Sequence, residues 1–567
     1  MSEKVRWKIR GLEQYRQKLW FSVLINAILL LLLLLVFRPA YETNDDMGMA
    51  NIVNGAKGVY DPHLIFSHYF LGVVLSILYR ITDMVPWYPI LQYAVLFASF
   101  TAVTYVLNQR KGRTSEMWIS LILITVFAYE GYINLQFTKT AGIASAAGMF
   151  LIFYAIAGNK VKKVPLIFGF LIACLGSMYR MHQFLAEGFL MTGVGVYQLL
   201  RLRDEEKGRR LRKLLMYIGT FGCLLVCVAG LRQIDRQIYN GSEEWQEYLT
   251  YNKLRGKLYD YGFPKYGENK EVYNEFGITR TAYKLYQTWT HMDTEMFTTE
   301  LMEELYEIQP KKSFDRDFIE DFFDKFPASF LKIPVFYCFL LLLGYQMVWG
   351  KNRGAEVLAV LYEIAAVFVM YMYLYFAGRY LLNRVDVGLW FAASLTVMWT
   401  AREVRWHIPH WFSMAVLLVT LILYQNTWQE RYRSNTQDEL AVQAAERAVI
   451  DAVQYDSEYL YLTKPKMVSF AKAYGVFDHI PFGSAKNIYS LGGWTSASPV
   501  YSEVLETFGV TNPFRDMIGN EKIYLIDSNI ELTMKYIRKY YDKTAEAVPV
   551  FVYAPYQVYQ IISNADS

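Results

Sequence analysis

Long apolar runs separated by short polar turns fill most of the chain up to Tyr424, and two extended polar blocks interrupt and follow them. A helix needs about 17–25 mostly apolar residues to cross a bilayer. On this pattern eleven spans are read, at Leu19–Phe37, Tyr88–Leu107, Met117–Leu135, Ala141–Ile156, Leu166–Met178, Phe184–Leu200, Leu214–Leu231, Phe330–Trp349, Val357–Phe376, Val387–Thr400 and Trp411–Tyr424. A further segment, Leu64–Ile81, is apolar enough to cross. Crossing there would turn the basic loop Arg110-Lys111-Gly112-Arg113 outward, against the Lys and Arg excess of cytoplasmic loops. It is read instead as lying along the outer interface or re-entering. The basic clusters Lys4 to Lys18, Arg110 to Arg113, Lys160 to Lys163, Arg201 to Lys213, Lys351 to Arg353 and Arg402 to Arg405 then share one side, with the amino terminus cytoplasmic and the carboxyl terminus extracellular. Leu19–Phe37 has a basic flank but exceeds a signal-peptide core and lacks a small-residue cleavage site, so it is expected to stay as an anchor.

Arg232 to Ala328 holds no run long enough to cross. Its Tyr and Trp residues with spaced Leu and Ile predict mostly short helices, capping the membrane entrance. After Ser434 an amphipathic helix at Glu439 to Val453 precedes Tyr459-Leu460-Tyr461-Leu462; Ile523-Tyr524-Leu525-Ile526 leads to a helix near Glu531 to Tyr541 and then to the run Val548 to Tyr553. That alternation predicts a small α/β domain with a parallel sheet. The expected fold class is a polytopic α-helical membrane protein with about eleven transmembrane helices, a mostly helical outer insertion and a small outer α/β carboxyl-terminal domain. Its parts are 1–231 (with an outer loop at 38–63), 232–328, 329–425 and 434–567.

Composition agrees: 54% hydrophobic against 19% charged is the balance of a multi-spanning protein with soluble parts. The net charge of +4 is dispersed in short clusters, which gives no continuous basic face for nucleic acid. Cys174, Cys223, Cys227 and Cys338 all lie in apolar runs, so the outer blocks are built without disulfides or zinc. No glycine-rich phosphate loop, CxxC pair or internal repeat is found.

Candidate chemistry begins just past the first span, in Tyr41-Glu42-Thr43-Asn44-Asp45-Asp46-Met47 and then Tyr60-Asp61-Pro62-His63. An acid at the membrane edge can take a proton from an incoming hydroxyl, and a second can orient that group or bind a divalent cation, Mg or Mn. The same residues would also serve a solvated loop with a helix cap. Basic residues are depleted at outer turns, yet Lys139, Arg180, Arg379 and Arg384 sit there, and a phosphate anion would account for them. Their structural alternatives are snorkelling for Lys139, and pairing of Arg180 with Glu187 or Glu130. Asn44, Asp61, His63 and His182 complete the expected substrate-binding set. The isolated histidines, His68 included, have no metal-ligand spacing, and no metal site is assigned. Gly492-Gly493-Trp494 fits a sugar-stacking site or a structural turn.

A first span followed at once by an outer acidic motif, many further spans and outer carboxyl-terminal material resemble the GT-C class of integral membrane glycosyltransferases, especially bacterial glucosyltransferases that modify surface polysaccharide. The resemblance covers Met1 to about Tyr424 through topology and Asn44-Asp45-Asp46. It implies a hexosyltransferase that takes sugar from a polyprenyl-phosphate carrier and delivers it, with inversion, to a surface glycan, glycolipid or protein. The loop acid would be the base, a role that falls to Asp45 or Asp46, with Asp45 preferred as the acid nearer the first span. Two rival readings are a flippase or transporter of lipid-linked saccharide and a non-catalytic surface assembly protein. A transporter calls for ionisable groups near the midplane and paired broken helices, and the sequence reading finds neither.

Overall fold

The computed structural model describes residues 15–109, 117–310, 313–330, 333–350, 354–401, 409–433 and 436–564. The basic clusters at 110–113, 351–353 and 402–405, and most of that at 4–18, lie outside them. The chain is mostly helical, and five helices are long and apolar enough to cross a membrane: Leu19–Val36, Trp87–Asn108, Phe137–Ala157, Lys207–Asn240 and Gly354–Phe376. Shorter apolar helices follow the other runs, among them Met117–Tyr132, Lys163–Tyr179, Pro334–Trp349 and Trp411–Tyr424.

Two helices make the outer wall of the bundle. Leu19–Val36 exposes Leu24, Leu31, Leu32 and Leu35, and Lys207–Asn240 exposes Leu211, Leu215, Ile218, Leu225 and Val226. Apolar stripes of that length need hydrocarbon or a partner against them. At the centre stands Phe137–Ala157, rich in Ala and Gly and almost wholly buried. A Cβ on its Gly148 would lie 2.5 Å from Ala173 N and 2.6 Å from Gly169 O. Only glycine permits this approach of Lys163–Tyr179, the small-residue packing that holds helices together where water supplies no drive.

Three boundaries differ from the sequence reading. The helix ending the first membrane region does not stop at Leu231 but continues to Asn240, 34 residues in all, because no breaker intervenes before Asn240-Gly241. At about 1.5 Å per residue it is longer than the hydrocarbon core is thick. The Leu64–Ile81 segment forms a helix only from Tyr69 to Ile81. Those 13 residues span about 20 Å, short of the roughly 30 Å core. The third helical run ends at Tyr132, and Asn134-Leu135 form a strand instead.

The interior of the bundle also departs from the expectation that no ionisable group lies in the spans: Glu187, Glu356 and Glu363 are buried within helices Met181–Arg201 and Gly354–Phe376.

Beyond the bundle, the insertion consists of helices Glu243–Tyr261, Lys270–Glu275, Arg280–Gln287, Thr299–Glu307 and Arg316–Phe330. The carboxyl-terminal domain carries five strands: β3 (Leu460–Thr463), β4 (Ile488–Ser490), β5 (Ile523–Ile526), β6 (Glu546–Tyr553) and β7 (Tyr556–Ile562), in the order β4-β3-β5-β7-β6. β4, β3 and β5 are parallel and joined through helices, as expected. The sheet is mixed rather than wholly parallel. Only Ala554-Pro555 separates β6 from β7, too short for a crossover, so the two form an antiparallel hairpin.

This domain is bonded to both the loop at 38–63 and the insertion. Gly483 N donates to Gly55 O at 2.9 Å and Ala485 N to Ala56 O at 2.7 Å. Buried Asp293 of the insertion accepts from Tyr536 and Tyr541, each at 2.6 Å, and from Asn512 at 3.0 Å.

Candidate functional site

The acidic loop is fixed by a two-residue strand. β1 (Ala40–Tyr41) pairs in parallel with β2 (Asn134–Leu135), and Glu42 N donates to Leu135 O at 3.0 Å. The chain then enters a ten-residue helix, Asn44–Val53, with Asp45 and Asp46 in its first turn, where carboxylates favour the helix dipole.

The two acids diverge. Asp46 is fully buried and accepts from Tyr88 Oη at 3.0 Å, Gln92 Nε2 at 2.8 Å and Phe137 N at 3.1 Å. It thereby caps the central helix Phe137–Ala157. Burial pushes its carboxyl up to about 7, and the charge of Asp45 adds to this, while the three donors oppose it. Asp45 is partly exposed and, among the described residues, accepts only a long bond, 3.4 Å, from Thr43 Oγ1. Asn44 beside it is exposed.

Of the four expected cations, Lys139 is buried and spent. Its Nζ lies 2.6 Å from Glu42 and 2.8 Å from Glu130, and donates to Asn134 O at 3.1 Å. Asn383 Nδ2 closes the cluster, 3.3 Å from Glu42 and 3.2 Å from Glu130. Lys139 is therefore a strut between the acidic loop and the helix Asn383–Thr400.

Arg180 differs. It sits in extended backbone between helices Lys163–Tyr179 and Met181–Arg201, with its guanidinium 5.3 Å from the Phe66 ring and 5.5 Å from that of Phe137. Burial lowers it to about 10, with Arg379 and Arg384 pushing the same way and Asp45 and Asp260 opposing. Asp45, Arg180, Arg379 and Arg384 thus share one electrostatic neighbourhood. Arg379 is held by Asp260 at 2.6 Å. Among the described residues neither Arg180 nor Arg384 has a carboxylate partner. His182 is next to this group, and its imidazole is lowered by burial and by the charges of Arg180, Arg232 and Arg379.

Asp61 and His63 belong to another place. Asp61 Oδ1 accepts from His63 Nδ1 at 2.7 Å, and the imidazole stacks on Trp245, 4.3 Å between centroids. Asp61 lines a cleft of about 880 Å³ between the insertion and the carboxyl-terminal domain, with Glu244, Glu247, Glu300, Glu503 and Glu506. Trp494 does not serve as an open stacking face: it is buried, 4.6 Å from the ring of Phe66 and against Gly48 of the acidic helix. The Gly-Gly-Trp turn is structural, and it brings the carboxyl-terminal domain onto the acidic loop.

Sequence reasoning missed Asp260, Asn383 and both carboxylates on Lys139, although Glu42 stands in the acidic motif and Glu130 was weighed as a partner of Arg180 instead. Among the described residues no three His, Cys, Asp or Glu converge as a metal-binding group. The arrangement can accept a proton at Asp45 and an anion at Arg180 and Arg384. Comparison with protein-family models, with curated proteins and with solved structures returned no match.

Proposed function

We propose that the chain is an integral membrane glycosyltransferase of about eleven spans, with its acidic loop, insertion and carboxyl-terminal domain on the outer face. The observation that carries this reading is one partly exposed carboxylate, Asp45, in the field of Arg180, with Arg180 and Arg384 lacking carboxylate partners. A cation moved out of water without a counter-ion is costly, and a substrate anion relieves that cost.

In the proposed reaction Asp45 takes the proton of an acceptor hydroxyl. The acceptor oxygen bonds to the anomeric carbon as the bond to the carrier phosphate breaks, inverting that centre, and the phosphate leaves with the electron pair toward Arg180 and Arg384. Asp46 and Lys139 act as positioning residues. The acid-lined cleft at Asp61 suits the acceptor, because carboxylates accept hydrogen bonds from sugar hydroxyls. Incubating the purified protein with a panel of polyprenyl-phosphate sugars and following release of polyprenyl phosphate tests the reading. Consumption of none of them, with the fold intact, would turn attention to the flippase or assembly alternatives.

A further inference from the structure

Glu363 lies in the middle of the apolar helix Gly354–Phe376 and is completely buried, and neither carboxylate oxygen has a hydrogen-bond partner among the described residues. The neighbouring Thr396 hydroxyl donates to Ala392 O at 3.3 Å; turned toward Glu363 it would satisfy one oxygen at most. The facing helix makes room for this group: a Cβ on Gly193 would lie 2.0 Å from Glu363 Oε2.

The same construction recurs nearby. Glu187 is completely buried, its Oε1 accepts from Gln183 at 2.6 Å and its Oε2 has no partner. A Cβ on Gly388 would lie 2.0 Å from Glu187 Oε1, and one on Gly142 2.8 Å from it. At the other end, buried Glu356 accepts from Tyr197 Oη at 3.2 Å, and its Oε2 is unpartnered. Tyr197 in turn lines a pocket of about 880 Å³ with Arg201, Glu205, Arg209 and Lys213. Glu356, Glu363 and Glu187 are thus three levels of one file, some 20 Å long at about 1.5 Å per residue. Asp386 continues it past Glu187, accepting from Tyr371 Oη at 2.8 Å.

We propose that Glu363 forms an intramembrane site for a small monovalent cation, a proton or sodium ion, with Glu187 and Glu356 as further carboxyl stations of the same file. A carboxylate sealed from water with at most one hydroxyl donor needs such a counter-charge, and none is supplied among the described residues. The cationic side chains of the helices Met181–Arg201, Gly354–Phe376 and Asn383–Thr400 are His182, Arg201 and Arg384, all at helix ends, and Lys139 of the fourth wall, Phe137–Ala157, is held by Glu42 and Glu130. The other titratable groups on the first three helices are Tyr197, Tyr362, Tyr371, Tyr373, Tyr375 and Asp386, none of which carries positive charge. The glycines at 193 and 388 show that helix packing is shaped around the carboxyl groups rather than strained by them. The site stands apart from the transfer chemistry, which uses Asp45 and the outer arginines.

The test uses the whole protein in lipid nanodiscs and a membrane-permeant carbodiimide, which forms an adduct only with a protonated carboxyl. At acidic pH and low sodium the adduct is expected on the peptide carrying Glu363, falling by about tenfold per pH unit above the carboxyl's midpoint. Protection by sodium chloride at fixed pH identifies sodium as the occupant; dependence on pH alone identifies the proton. Glu363→Gln must remove the adduct and Arg384→Gln must leave it, which separates this outcome from that of any transferase assay. No adduct on wild-type protein at any pH, or one that neither pH nor sodium changes, overturns the site.

Discussion

Asp46 accepts the backbone N–H of Phe137 at 3.1 Å, so the second acid of the pair ties the acidic loop to the first turn of the central helix. Its neighbour Asp45 keeps a free face. Adjacent, chemically identical side chains are thereby given different surroundings, one buried to hold the loop and one left partly exposed.

The first expectation concerns stability and pH. The Asp46 carboxyl is raised to about 7 from the 3.8 of the unfolded chain. Between those values the folded state holds a proton that the unfolded state has lost, so stability falls as pH rises through the window. The slope approaches about 1.4 kcal/mol per pH unit. Asp46→Asn lacks this slope while keeping an Oδ1 acceptor for Tyr88, Gln92 and Phe137. Its deficit in apparent Tm against wild type should be largest near pH 4 and shrink toward pH 7. A deficit independent of pH would contradict this.

Lys139 and Arg384 should part company in a thermal-shift measurement. Lys139→Ala leaves Glu130 and Glu42 without their counter-ion, and breaking a buried pair costs about 3–5 kcal/mol. Arg384 has no such partner among the described residues, so Arg384→Gln should shift stability by no more than about 0.5 kcal/mol and leave Tm close to wild type.

Carrier use should show the opposite order among the soluble variants. Arg384→Gln or Arg180→Gln should lower kcat/KM for a polyprenyl-phosphate sugar by about tenfold or more, and the Lys variants should recover part, since charge survives but the two-pronged fork is lost. Unchanged kinetics in both Gln variants would remove these arginines from the site.

Sidedness is open to thiol labelling. Cysteine at exposed Lys270, in the insertion, should react with an impermeant reagent in intact cells, whereas cysteine at exposed Lys160 should react only after permeabilisation. Labelling at Lys160 from outside would reverse the orientation.

The helices were legible because an apolar run is a local signal, and the helix Phe137–Ala157 announces itself in a stretch of Ala, Gly and Ile. What the sequence hid is non-local. The pairing of Ala40–Tyr41 with Asn134–Leu135 rests on two residues from each strand, too few to leave a pattern. Lys139 and Arg180 both read as outer cations; only the fold shows that the first has Glu42 and Glu130 against it and the second the rings of Phe66 and Phe137. The mixed sheet was half visible, since β6 reads as a strand while β7, rich in Tyr and Gln, does not. Glu363 was plain in the sequence, but its burial without a donor was not.

The central claim is that Asp45 alone is the base, and turnover of the two single Asn variants tests it most directly. A positioned general base is worth about 10²–10⁴-fold in rate. Asp45→Asn should lose that factor in kcat while still binding the carrier, and Asp46→Asn should keep most of its turnover at temperatures where it stays folded. Near-normal turnover in Asp45→Asn would contradict the mechanism.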